Sequence, residues 1–366
     1  MKSYIGAQTE INAFLKPLYL TFVATLKCNL RCPFCYAWRT KTQDELSLQE
    51  IEETFSSQAL KNLVSVGITG GEPFLRKDIV EIASTIAENN RNLVNIRITT
   101  NGFHTEKIVS NIHEILDVTG LPIAVKISID GVKATHDRIR CSGSFSKAMS
   151  TLTYLKRLKE KGYDLSISIG FTAVDENVND IWKLYDEFGK DFEFFFKPAQ
   201  TLPISPKGCP PLPISQKTRR SLIAFTCSYL QNEFRGKRTL WNSSRKLYYR
   251  YLLDFLGHPS IRPVPCSAAY SHFKLDSNGD VYACSVSPLR LGNVREAPLD
   301  KIWFSPSSFR IRRMITGGGC TCCTSCDLGP SILTFKWHEI ILNYILGLFG
   351  YSVENTICSE STLWKS

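Results

Sequence analysis

The chain has 366 residues, 43% of them hydrophobic and 21% charged, with a formal net charge of +10. That length suits one large α/β domain and a smaller companion, and with no low-complexity tract or internal repeat the composition excludes a disordered or solenoid protein. The N-terminal stretch lacks a basic segment followed by a long apolar run and a small-residue cleavage site, so no secretory signal is read and a cytoplasmic location is expected. Thirteen cysteines are poor disulfide material in a reducing compartment, and their clustering in two places points to metal or cluster ligation.

In chain order, LYLTFVAT (18–25), SVGITG (65–70), NIRITT (95–100), IAVKISID (123–130), LSISIGFT (165–172) and FEFFFKP (192–198) read as strands. Between them, residues 47–57, 77–90, 105–117, 146–162 and 177–189 read as helices from apolar recurrence at three and four residues. Strands alternating with helices imply a parallel sheet with right-handed crossovers, curled into a partial (β/α)6 TIM-like barrel whose active groups gather at the C-terminal strand ends. After Pro198 a proline-rich stretch reads as a connection, followed by helices near 216–234 and 241–256 and a second cysteine-bearing module. The expected divisions are a core at 1–198, a linker with helices at 199–262, the module at 263–330, and a terminal amphipathic helix and tail at 331–366.

Cys28, Cys32 and Cys35 follow the first strand with C-x3-C-x2-C spacing, and Phe34 directly precedes the last thiol. Four thiolates would close a zinc site or saturate a [4Fe-4S] cube, whereas three leave one iron open to a ligand. Three buried cysteines, or half of a zinc site completed from elsewhere, are the alternatives. Gly70-Gly71-Glu72-Pro73 ends the second strand, TTNG with Thr100 and Asn101 ends the third, and SIDG followed by HDRIR comes after the fourth. Glycines there let backbone approach a ligand, and a carboxylate accepts from an amine.

With this series of motifs, residues 18–198 resemble a radical S-adenosylmethionine (SAM) enzyme. The resemblance implies that Cys28, Cys32 and Cys35 hold a [4Fe-4S] cluster with SAM on its open iron, and that Gly70, Gly71 and Glu72 meet the SAM amino group. Ser128 and Arg140 are candidates for its carboxylate, the fork of Arg140 being the better match. Phe34 would pack near the adenine, and Thr100, Asn101 and the strand around Ile169 would line the nucleoside. Strand capping and a surface salt bridge are the plainer readings of Ser128, Asp130 and Arg138. One-electron cleavage of SAM would give a 5′-deoxyadenosyl radical that abstracts hydrogen from an unactivated carbon. An electron donor such as flavodoxin or ferredoxin is implied, and the six histidines are read as structural or solvated.

Downstream, Cys266, Gly279 in a hairpin turn and Cys284 fit the C-x(n)-G-x4-C signature of the auxiliary iron-sulfur module called SPASM or twitch, with Cys320, Cys322, Cys323 and Cys326 following. One auxiliary [4Fe-4S] cluster held by Cys266, Cys284, Cys326 and a neighbour among Cys320, Cys322 and Cys323 is expected, with a zinc ribbon as the alternative. Sulfatase-maturing relatives place an aspartate after the cysteine of G-x4-C; Ser285 stands there, which argues against that oxidation.

For substrate, peptide-modifying relatives often begin with a domain that grips a leader peptide, whereas the first strand here begins within about twenty residues, so peptide modification is the alternative; the tail and charge described next make a phosphorylated lipid or glycan precursor the expectation. The helix read over 331–352 is apolar on a broad face yet interrupted by Lys336, His338 and Glu339, too short to span a bilayer but suited to lying on one, or equally to packing over the barrel or in a dimer. The basic excess fits anionic headgroups or phosphorylated substrates; no nucleic-acid motif accompanies it. A non-enzymatic metal-binding interaction protein is the remaining class.

Overall fold

The computed structural model describes residues 16–40, 44–199, 214–258, 262–319 and 325–348. Six strands, β1 (Tyr19–Thr25), β2 (Ser65–Gly70), β3 (Asn95–Thr100), β4 (Ile123–Ser128), β5 (Leu165–Ala173) and β6 (Glu193–Pro198), pair in parallel in chain order. Helices α1 (Leu48–Phe55), α2 (Ile79–Asn89), α3 (Thr105–Thr119), α4 (Lys133–Ile139), α5 (Ser144–Glu160) and α6 (Asp180–Phe188) fill the crossovers. The order matches the sequence reading, with α4 added after the SIDG turn.

Period-two alternation fixes which strand face meets the helices. Leu165, Ile167, Ile169 and Phe171 of β5 are buried, while Ser166 is exposed and Ser168 and Gly170 are half-buried. Ile96 and Ile98 of β3 and Val125 and Ile127 of β4 join the same layer, packed with Ile82, Ile86, Ile112 and Ile115 of the helices. Removing such a side chain from water is worth about 1.5–3 kcal/mol, so register is set by this layer. Local chemistry agrees with it. Ser47 and Glu50 form a reciprocal cap that starts α1, and Gly120 at φ 61° ends α3.

The second cysteine module extends the barrel sheet. β7 (His272–Leu275) pairs in parallel with β1, Leu20 opposite Phe273, and β8 (Asp280–Tyr282) and β9 (Arg290–Asn293) continue antiparallel from it. Gly279 at φ 87° makes the β7–β8 turn, as SNGD predicts. The nine-stranded sheet has β6 and β9 as its edges.

Beyond the connection, α7 (Gln216–Asn232) and α8 (Leu240–Gly257) cover β6, where the Tyr229 and Tyr249 hydroxyls both donate to the Phe194 carbonyl, at 3.0 and 3.2 Å. Short helices α9 (Leu299–Trp303) and α10 (Pro306–Met314) follow β9.

The terminal region differs from the single helix expected over 331–352. It is two helices, α11 (Ser325–Phe335) and α12 (Trp337–Leu348), broken at Lys336; residues 349–366 lie outside the described set. Ile332 and Ile340 are both buried in one cluster with Leu247, Val264 and Leu328. In one straight helix they would point about 80° apart, and the break lets both dock against α8.

Candidate active site

β1 delivers the chain into the cysteine loop at the C-terminal mouth of the barrel. Cys32 is buried and Cys28 and Cys35 are half-buried. Backbone groups of the loop are well held: Arg31 donates to the Cys28 carbonyl at 2.7 Å, Trp38 Nε1 donates to the Cys32 carbonyl at 2.9 Å, and Arg31 and Arg39 flank the Trp38 ring. Burial pushes the Cys28 thiol up and the Cys32 thiol up to about 11, the latter opposed chiefly by the Arg140 charge. Cys28 is also raised by charge on Glu72 and Cys35, and Cys32 by charge on Asp130, Cys35 and Cys28. Thiolates therefore form here when a metal replaces their protons.

The GGE segment is locked against this loop. Gly71 N–H donates to the Thr25 carbonyl at 2.7 Å and Glu72 N–H to the Lys27 carbonyl at 2.8 Å. A Cβ on Gly70, at φ 143°, would lie 2.0 Å from the Thr25 oxygen, and one on Gly71 would lie 2.1 Å from the Lys27 oxygen. The glycines are thus required by the approach of two strand ends.

Glu72 is fully buried and accepts from the Thr100 hydroxyl (2.8 Å), the Asn101 amide (2.8 Å) and the Phe74 amide (3.3 Å). Burial outweighs these bonds and pushes its carboxyl up to about 7. The Asn101 side chain donates to Asn29 Oδ1 at 2.8 Å and lies 4.0 Å from the Cys28 sulfur. One connected set of groups therefore joins the ends of β2 and β3 to the cysteine loop.

Arg140 reaches the same region, its charge acting on Cys28, Cys32 and Glu72. Its Nε donates to Asp130 Oδ2 at 2.7 Å, and Asp130 Oδ1 accepts from the Thr172 amide at 2.8 Å. Asp130 is completely buried, so the surface salt bridge considered for it gives way to an internal pair; Arg138 is exposed. Asp130, signalled by the SIDG turn, does more than the capping read for it, and Asn29 and Asn177, which no motif singled out, join it: the Asn177 side chain donates to the Asp130 carbonyl at 3.0 Å.

Ser128 is half-buried at the end of β4, in register with Gly170. Phe34 packs with Ile139, Val174 and Ala199. The Ile169 side chain belongs to the apolar core, so what β5 offers the mouth comes from its alternate positions and backbone. His136 is buried, its Nδ1 accepting from the Asp130 amide at 3.1 Å, while its Nε2 is buried with no hydrogen-bond partner among the described residues.

In the second module Cys266 and Cys284 are both buried, on segments drawn together by the Ala269 amide donating to the Ala283 carbonyl at 3.1 Å. The helix carrying Cys326 is fastened beside them. His272 Nε2 lies 2.8 Å from Asp327 Oδ1, and the Ser267 amide donates to Ser331 Oγ at 3.1 Å. Asp327 and Ser267 each adjoin a candidate ligand, a pairing that spacing alone did not disclose. Cys320, Cys322 and Cys323 lie outside the described residues, as does the side chain of Cys326.

Comparison with known proteins agrees with this arrangement. The family model of the radical SAM superfamily matches residues 22–188, and that of the SPASM iron-sulfur cluster-binding domain matches residues 266–327. The sporulation killing factor maturation protein SkfB of Bacillus subtilis is 24% identical over 87% of this chain and 72% of its own length. The mycofactocin maturase MftC of Mycolicibacterium smegmatis is 26% identical over 85% of this chain and 76% of its own. The match spans less than half the length of some other curated relatives, 38% and 44% in two cases. Among solved structures, Streptococcus suis SuiB bound to SAM superposes with a TM-score of 0.60 at 19% identity, over 89% of this chain and 74% of SuiB. SuiB has also been solved bound to its precursor peptide SuiA.

The chain belongs to the radical SAM superfamily and carries a SPASM-type module. It is a radical SAM enzyme whose core binds a [4Fe-4S] cluster with SAM and whose second module binds auxiliary iron-sulfur, which sets aside the non-enzymatic reading. Among the described residues no helix is long and apolar enough to cross a membrane.

Proposed function

We propose that this enzyme modifies a peptide. The observation that carries the reading is the match over most of both chains to SkfB and MftC, proteins named for maturation. These relatives favour the peptide alternative over the lipid or glycan precursor expected from the sequence.

The residues present fit the cofactor. Cys28, Cys32 and Cys35 provide three thiol donors on one loop, and Gly70 and Gly71 allow the strand end to meet that loop closely. With the cluster and SAM bound, one-electron cleavage of SAM supplies a hydrogen-abstracting radical. Glu72, ionised, receives an ammonium group; Thr100 and Asn101 hold its oxygens in place. Arg140, oriented by Asp130, presents positive charge to a carboxylate. Phe34, Ser128 and the backbone around Ile169 border the nucleoside. Cys266, Cys284, Cys326 and a neighbour among Cys320, Cys322 and Cys323 hold one auxiliary cluster.

In this reading residues 1–198 form the core, 199–262 the connection, 263–330 the auxiliary module and 331–366 the terminal segment. A flavodoxin or ferredoxin delivers electrons in the cytoplasm. The terminal helix contacts an anionic membrane surface: Trp337, Ile341, Leu342, Ile345 and Leu348 are exposed, and the basic Arg235–Arg238 loop adjoins them through Arg238 donating to the Leu348 carbonyl at 3.3 Å.

The test is anaerobic incubation of reconstituted protein with SAM and dithionite, offering the peptide and lipid fractions of the source cells separately. A peptide mass change that grows with 5′-deoxyadenosine is expected. A mass change confined to the lipid fraction would restore the lipid or glycan reading.

A further inference from the structure

Arg312, on α10, is completely buried in the second module. Its Nε donates to the Ala269 carbonyl at 2.5 Å, and the guanidinium lies 4.3 Å from the Trp303 ring centroid and 5.1 Å from that of Phe309. Nη1 and Nη2 are sealed from water and have no acceptor among the described residues. Burial pulls Arg312 down to about 10, with charge on Tyr270 the opposing influence and no described carboxylate acting on it. An uncompensated buried cation costs several kcal/mol, and buried donors in folded proteins are nearly always paired.

The residue that accepts from Arg312 stands between the two described cysteines of the module. Ala269 follows Cys266 by three residues, and while its carbonyl takes the Arg312 Nε its amide donates to the Ala283 carbonyl, beside Cys284. Ala269 has φ 60°, the one non-glycine residue with positive φ among the described residues. That conformation costs about 1–2 kcal/mol, so the turn facing Arg312 is held against local strain by its surroundings. Four thiolates on a [4Fe-4S] cube leave it net negative, and hydrogen bonds to sulfur set its potential.

We propose that Arg312 is the counter-charge of the auxiliary cluster, its two unpaired NH2 groups donating to cluster or cysteine sulfur. This rests on the auxiliary cluster assigned above and gives Arg312 a positioning and potential-setting role that no motif signals. Positive charge and donated hydrogen bonds favour the reduced, more negative cluster, so the residue makes the cluster easier to reduce.

The test uses the full chain with Cys28, Cys32 and Cys35 changed to Ala, so that the remaining paramagnetic signal belongs to the auxiliary site. Redox titration followed by electron paramagnetic resonance then compares Arg312 with Arg312→Met and Arg312→Lys. Arg312→Met is expected to lower the reduction equilibrium constant at least tenfold, about 59 mV for a one-electron couple, and to speed iron loss to a chelator. Arg312→Lys, which keeps charge without the fork, is expected to shift less. An unchanged potential and unchanged iron retention in folded Arg312→Met overturn the proposal. So does failure of both Arg312→Met and Arg312→Gln to fold without iron, because Arg312 would then serve the bare fold through its Ala269 bond and its stacking on Trp303. Absence of any cluster while Arg312 is intact would instead show that the auxiliary-cluster assignment fails, and the proposal with it.

Discussion

Asp130 grips the Arg140 guanidinium through Nε at 2.7 Å, with Asp130 fully buried and the Arg140 side chain 9% exposed. Breaking a buried pair from one side strands the other charge, at a cost of about 3–5 kcal/mol. Asp130→Asn should therefore lower the urea midpoint of the iron-free protein sharply, and adding Arg140→Met should recover part of the loss. If the double variant is no better than Asp130→Asn alone, the pair is not the cause.

Glu72 gives the fold a pH dependence. Its carboxyl titrates near 7 in the folded chain against 4.5 for the unperturbed group. Between those values the native state keeps a proton that the unfolded chain has released, so its contribution to stability is present below 4.5 and is lost as pH rises toward 7. The loss amounts to about 3 kcal/mol. Urea unfolding of iron-free wild type and Glu72→Gln at pH 5 and pH 8 should show the variant gaining relative to wild type by about that amount. A difference that stays constant across this interval would contradict the buried ionisable role.

Much of this was legible in the sequence, and the limits have physical causes. Strand order followed from alternating apolar runs such as NIRITT, because a core layer fixes period two. The three thiols and GGEP were visible because their chemistry is local in the chain. Asp130 was named yet undervalued: its partners Arg140, Thr172 and Asn177 come from three separate segments. The His272–Asp327 contact and the orphaned Arg312 were invisible for the same reason, being made only by packing. The break at Lys336 was missed because an apolar pattern does not reveal which two residues must reach one patch.

His272 and Asp327 should matter to iron more than to the core. Asp327→Ala leaves buried His272 without its carboxylate and loosens the helix that carries Cys326. Iron analysis should show loss of about half the metal, one [4Fe-4S] unit of two, while reductant-dependent SAM cleavage persists. Full iron content in Asp327→Ala would contradict the fastening role.

The terminal helix can be tested separately. Wild type should sediment with vesicles containing anionic phospholipid at low salt and be released as salt rises. Ile341→Glu with Leu348→Glu, both at exposed positions, should stay in solution with its iron unchanged. Wild type that ignores such vesicles removes the membrane contact. A double variant that precipitates or loses iron shows instead that this face packs on protein.

The most direct measurement counts iron and 5′-deoxyadenosine together in wild type and in the variant with Cys28, Cys32 and Cys35 changed to Ala, under anaerobic conditions with SAM and dithionite. Wild type should hold about eight irons, two [4Fe-4S] units, and form 5′-deoxyadenosine. The variant should hold about four and form none. Undiminished 5′-deoxyadenosine in the triple variant would contradict the assignment of these thiols to the SAM cluster.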